Sequence, residues 1–184
     1  MVPNSYDIVG NIIILKFPKG TKKKEKIEVA KKLLEEKKSV KTILEKKDKV
    51  KGRLRTIKTN YLAGEKTLIA HYIENNCKFK FNVETCYFSP RLSNERKEIS
   101  LQVKKNKDEK VLVMFAGVGP FSIVIAKNSK PKIVYSIELG KECSMYALEN
   151  VKMNKLNNVK VIQGDVRKII NKGGLIVKGN LVPL

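Results

Sequence analysis

From residue 110 onward the chain repeats one pattern: a short apolar run, a turn, then a helical stretch. Residues 110–115 run into the glycine turn Ala116-Gly117-Val118-Gly119-Pro120, with a helix predicted over 120–127. A second strand is predicted over 133–138, ending in Glu138, and a helix over 141–155 follows. The third strand, 159–163, stops just short of Asp165, and residues 174–182 read as a fourth. Strands that alternate with helices specify a parallel α/β sheet.

The first half follows a different pattern. Residues 6–17 are β-branched and aromatic around Gly10, which predicts a strand or tight hairpin ended by Pro18 and Gly20. Thr21 is expected to cap a helix over 22–38, where Ile27, Ala30, Leu33 and Leu34 recur at helical spacing. A strand over 40–44 leads into the basic link KKDKVKGRLR, and strands over 67–73 and 79–83 flank the turn-prone ENNC. A helix over 92–104 would bury Leu92, Ile99 and Val103 on one face. The fold class expected is therefore α/β, with a small α+β domain over 1–88 followed by a Rossmann-like domain over 89–184.

Charge narrows the partner. Residues 19–58 hold 17 Lys/Arg against 6 Asp/Glu, and residues 97–184 hold 16 against 7, within a chain of net charge +21. The excess is mostly lysine, a hydrated point charge suited to following phosphates, so a nucleic acid is the expected partner. Lys22, Lys23 and Lys24 are its candidate contacts, against the plainer reading of a solvated helix face. Hydrophobic residues make up 42% of the chain, enough for a core, which excludes wholesale disorder. No apolar run is long enough to span a bilayer, and the N-terminus lacks a signal-peptide layout. The three cysteines form no CxxC pair. A cytoplasmic protein without a membrane partner, a disulfide framework or a metal is expected.

The glycine turn and two carboxylates suggest a cofactor. Gly lets a ligand approach the backbone, and a following helix offers free N–H groups. The pattern Gly117-x-Gly119-x-x-Ser122 lacks the third glycine of the dinucleotide fingerprint. Glu138 lies 19 residues after Gly119, where an acid can accept hydrogen bonds from a ribose diol. Asp165 stands where a polar group can meet an adenine edge. An adenosine cofactor without a pyrophosphate fits, and S-adenosylmethionine suits the set better than NAD. The competing reading is that both acids cap the helices after them.

The strings YFSPRLSNER (87–96) and MFAGVGPFSIVIAK (114–127) resemble the archaeal and eukaryotic tRNA (guanine-37-N1)-methyltransferases. KGRLRTIKTNYLAGEKT (51–67), ENVKMNKLNNVKVIQGDVR (149–167) and SYDIVGNIIIL (5–15) agree in the same order. The resemblance implies a class I methyltransferase sheet, S-adenosylmethionine as cofactor and tRNA as substrate. It places Arg55 at the guanine O6 and Glu95 as the general base for the N1 proton. It puts Arg96, Phe115, Gly117, Gly119, Glu138, Leu139, Asp165 and Val166 at the cofactor, and Tyr87 and Arg91 at the substrate. These residue types suit the reaction: a carboxylate can remove the N1 proton, better if partly buried, and a guanidinium steadies charge developing on O6. Without the motif, Arg55 and Glu95 would read as surface charges.

Val113 stands where the family carries an acid, and Leu139-Gly140 where it carries Asn-Pro. The family's later strands, its Asn-Pro-Pro-like motif and the N-terminal tRNA-elbow domain have no counterpart here. The chain is thus expected to be truncated at both ends, with its methyltransferase domain incomplete. A piece of a longer protein, half of a split enzyme and a degraded copy all stay open. A second polypeptide completing the sheet is an expected partner, and little methyl transfer is expected from the chain alone. Two other functions are weighed against methyl transfer: a non-catalytic tRNA-binding module, and the related wybutosine-pathway transferase, which moves an aminocarboxypropyl group from the same cofactor. The latter more often carries FSPAN and FAGIGH, whereas Arg91-Leu92 and Val118-Gly119-Pro120 stand here.

Overall fold

Gly10 and Asn11 break the first apolar run, and the chain reverses there. Strand β1 (Tyr6–Val9) pairs antiparallel with β2 (Ile12–Leu15). Gly10 has φ +60°, and a Cβ on it would lie 1.8 Å from the His71 carbonyl oxygen, so no side chain fits. The computed structural model describes residues 6–47, 52–103 and 108–171. The anticipated strand over 174–182 and part of the basic link lie outside the described residues. The chain divides into two compact units, Met1–Ser93 and Asn94–Leu184.

In the first unit, helix α1 (Lys23–Glu36) carries the chain from β2 to a parallel β3 (Thr42–Lys46). β3 pairs antiparallel with β4 (Thr59–Gly64), giving the order β1-β2-β3-β4. Ala30 and Leu33 on α1 bury against Ile13, Leu15, Ile43 and Ala63 of the sheet. Each large side chain so buried contributes roughly 1.5–3 kcal/mol. Thr21 does not cap α1: its hydroxyl donates to the Pro18 carbonyl at 2.9 Å, and Lys22 opens the helix without a side-chain cap. The hydroxyl closes a local turn with Pro18 instead, which is the usual competitor to capping. β4 has no counterpart among the expected strands, and β3 sits two residues later than its predicted span.

The hairpin β5 (Ile69–Glu74) and β6 (Cys77–Asn82) turns on Asn75 and Asn76, both at positive φ, as a two-residue hairpin loop requires. Its inner face buries Phe79 and Phe81, and the Phe88 ring lies 4.7 Å from Phe81 and 4.9 Å from Tyr72. The Asn11 amide reaches this hairpin: Nδ2 donates to the Ile69 carbonyl at 3.3 Å, and Oδ1 accepts from the His71 N–H at 2.6 Å.

A 3-10 turn (Pro90–Leu92) leads into α2 (Ser93–Val103). The buried positions of α2 are Arg96 and Ser100, with Ile99 and Val103 half-buried in the core. Leu92, expected on that face, is exposed because it belongs to the 3-10 turn and not to the helix. Three parallel strands follow: β7 (Lys110–Met114), β8 (Ile133–Glu138) and β9 (Val159–Gln163), in that spatial order. Helices α3 (Pro120–Ser129) and α4 (Lys141–Met153) connect them, and a short α5 (Val166–Asn171) comes after β9. Val113, Ala116, Ile125, Ala126 and Val134 form the core of this Rossmann-like α/β unit. No helix of the described residues is long and apolar enough to cross a membrane.

Candidate functional site

The second unit gathers its candidate residues at the carboxyl ends of β7, β8 and β9, where open α/β sheets bind ligands. Phe115 and Gly117 both have φ +56°, and Gly119, at φ +84°, begins α3. Phe115 leaves β7 with 77% of its surface exposed, an aromatic ring held outward by a left-handed backbone. Such an outlier persists only where surrounding structure imposes it. Support comes from α4, whose fully buried Asn150 donates from Nδ2 to the Val118 carbonyl at 3.1 Å.

Glu138 joins the three loops of this crevice. Its Oε2 accepts from the Gly117 N–H and its Oε1 from the Gly140 N–H, each at 2.7 Å. Its carbonyl accepts from the Gly164 N–H at 2.8 Å. An ionised carboxylate offers about four acceptor sites, so two backbone partners leave capacity for a ribose diol. The capping alternative is therefore realised in part: Gly140 opens α4, and the acid holds it there. Leu139 is half-buried and Val166 is buried. Asp165 accepts the backbone N–H of Arg167 at 3.1 Å, in the manner of a helix cap.

Arg96 is 1% exposed, with its guanidinium 5.5 Å from the Phe121 ring centroid. It therefore meets its surroundings as packed interior, not as open crevice surface. Glu95 is exposed in the first turn of α2, without the partial burial that favours a general base.

The first unit holds the candidate substrate residues. Arg55 has φ +53°, and its guanidinium lies 4.0 Å above the Tyr87 ring, so the structure brings these two together. Arg91 is exposed and pairs with Asp7 at 2.7 Å. Lys22, Lys23 and Lys24 are exposed at the start of α1. Lys23 also lines an open groove of about 910 Å³, beside Lys26, Lys66, Leu44, Tyr61 and Leu62. Asn11, Asn150 and Arg167 are not legible as site residues from sequence. Only Arg167 carries a signal, its spacing of two from Asp165.

The donor and acceptor set fits an adenosine-bearing cofactor: a left-handed glycine turn flanked by acids on successive strands. No group of three or more potential metal ligands occurs among the described residues. Residues 70–178 match the TRM5/TYW2 methyltransferase domain, and residues 1–67 match the TYW2 N-terminal domain. The chain is 44% identical over 181 residues to the tRNA (guanine(37)-N(1))/4-demethylwyosine(37)-methyltransferase Taw22 of Nanoarchaeum equitans, covering 95% of this chain and 58% of that protein. It is 39% identical over 176 residues to the tRNA (guanine(37)-N(1))-methyltransferase Trm5b of Pyrococcus abyssi, covering 96% and 52%. The crystal structure of that Trm5b superposes with a TM-score of 0.78 over 91% of this chain and 49% of that one. The Methanocaldococcus jannaschii TYW2 solved in complex with AdoMet, 29% identical, superposes with a TM-score of 0.62 over 89% and 57%. The chain thus spans just over half the length of these curated relatives. It belongs to the TRM5/TYW2 methyltransferase family.

Proposed function

We propose that the chain binds S-adenosylmethionine and takes part in methylating N1 of guanine 37 in tRNA. The observation that carries this reading is Glu138, which ties the glycine turn after β7 to the loop after β8. Bound there, the cofactor supplies an electrophilic methyl group. Glu138 would hold the ribose and Asp165 the adenine edge, while Gly117 and Gly119 let the ligand lie against the backbone.

The substrate-side residues act on protons and charge. Guanine N1 is a poor nucleophile while protonated, and Glu95 accepts that proton. Arg55 stabilises the charge that then develops on O6, its guanidinium already lying over the Tyr87 ring. Arg96, buried against Phe121, keeps the start of α3 in place. Lys22, Lys23 and Lys24 meet backbone phosphates.

One observation favours a second reading. The N-terminal match is to the TYW2 N-terminal domain, and the chain is 37% identical over 164 residues to an aminocarboxypropyltransferase of Methanocaldococcus jannaschii, which together support aminocarboxypropyl transfer from the same cofactor. Incubating the chain with unmodified tRNA and, separately, with tRNA carrying 4-demethylwyosine at position 37, each with cofactor labelled in the methyl or in the carboxypropyl group, separates the two. Methyl label on guanine 37 supports the first reading, and a carboxypropyl adduct the second. Binding without either label would reduce the chain to a tRNA-binding module.

A further inference from the structure

Arg167 has no place in the chemistry above, yet it folds back onto one of the candidate cofactor residues. Asp165 Oδ1 accepts from the Arg167 backbone N–H at 3.1 Å and from its Nε at 3.0 Å, and Oδ2 accepts from Nη2 at 2.6 Å. The Asp165 side chain is 14% exposed, while that of Arg167 is 70% exposed. One residue thus grips both oxygens of the acid from its outer side. A carboxylate held by a single donor can turn about its terminal torsion, which is broad and soft. A planar guanidinium fork on both oxygens removes that freedom. The hydrogen bond and the attraction of Asp165 raise Arg167 above its ordinary range, so the guanidinium stays charged.

We propose that Arg167 is a positioning residue that fixes the Asp165 carboxylate to recognise the exocyclic amine of the cofactor's adenine. The proposal rests on the reading of Asp165 as the adenine contact. Orientation matters because the acid must tell a donor from an acceptor. An adenine amine donates to a fixed carboxylate, whereas the 6-oxo group of hypoxanthine presents an acceptor that the same carboxylate repels. A carboxylate free to rotate turns away from that clash and loses discrimination. Lysine would restore charge at this position but not the planar fork. The plainer alternative is that the fork only secures the start of α5, which would affect stability and leave base discrimination untouched.

Calorimetric titration of the full chain with S-adenosylhomocysteine and with S-inosylhomocysteine reads the discrimination directly. The unaltered chain should prefer the adenosyl compound. Arg167→Ala should lower that preference about fivefold, the scale of one modest hydrogen bond, and Arg167→Lys should fall between. Melting temperatures recorded in parallel report any loss of fold, and Arg167→Gln serves if the alanine variant melts early. Asp165→Asn tests the underlying reading: an unchanged preference there removes Asp165 from the adenine site. If Asp165→Asn collapses or inverts the preference while the Arg167 variants keep it, the positioning role is overturned and the fork is a helix cap.

Discussion

In Asn94–Leu184 the acids Glu138 and Asp165 each accept backbone N–H groups, whereas in Met1–Ser93 the candidate substrate residues rest on other side chains or are exposed. Glu138 takes two amide N–H groups at 2.7 Å, and Asp165 takes another at 3.1 Å. Arg55 rests on the Tyr87 ring, Arg91 on an exposed Asp7, and Lys22 to Lys24 are exposed. The contrast follows from the proposed ligands. A small cofactor of fixed shape rewards groups that are already immobile, since each side chain ordered on binding costs about 0.5–1.5 kcal/mol. A polyanion rewards mobile cations that find phosphates and release counterions.

Several substitutions break or sharpen this contrast. Glu95→Gln should have the largest effect, lowering methyl transfer by about 10²–10⁴ while tRNA affinity barely changes. Single-turnover rates and filter binding check it, and a large affinity loss would remove Glu95 from the role of base. Glu138→Ala should come next, weakening S-adenosylhomocysteine binding by about 10–100-fold, the scale of a lost charge-assisted hydrogen bond. Hydrogen exchange at the Gly117 and Gly140 amides should accelerate in the absence of any ligand. Protection left intact would mean that the acid does not organise the crevice. Tyr87→Leu should weaken guanine-dependent steps by a few-fold, since a cation–π pair at an exposed site is worth about 0.5–1 kcal/mol. Equal rates for the two proteins would make the Arg55–Tyr87 stack a resting arrangement only. Neutralising Lys22, Lys23 and Lys24 together should have the smallest effect at high salt, where counterion release contributes least. The slope of log affinity against log salt should flatten by about 0.7–0.9 for each phosphate that a lysine no longer neutralises. An unchanged slope returns the three to a solvated face.

What the sequence revealed and what it hid divide along the same physical line. The three parallel strands β7, β8 and β9 were legible as short, largely apolar and β-branched runs, KVLVM, IVYSIE and VKVIQ, each followed by a turn and a helical stretch. β4 was not, because TNYLAG buries only Ala63 fully and reads as loop-like in isolation. α5 is six residues long, too short for a periodic signal. The two acids were legible by position, but their backbone partners were not, since Gly117, Gly140 and Gly164 meet Glu138 only once the sheet has assembled. Arg96 stands out by motif, and its burial against Phe121 depends on tertiary packing that spacing does not encode. The fork of Arg167 on Asp165 is local in sequence, yet it exists only because α5 starts there.

The Asn11 amide lies along β5 as a single extra rung, donating to one residue and accepting from the next but one, as a neighbouring strand would. With Gly10 pressed against the His71 carbonyl, the turn acts as a plug in the open side of the hairpin. A foreign strand seeking to pair at Ile69 and His71 finds both of those main-chain groups already engaged. An insertion in the turn between β1 and β2 would displace Asn11 and free the Ile69 carbonyl and the His71 N–H.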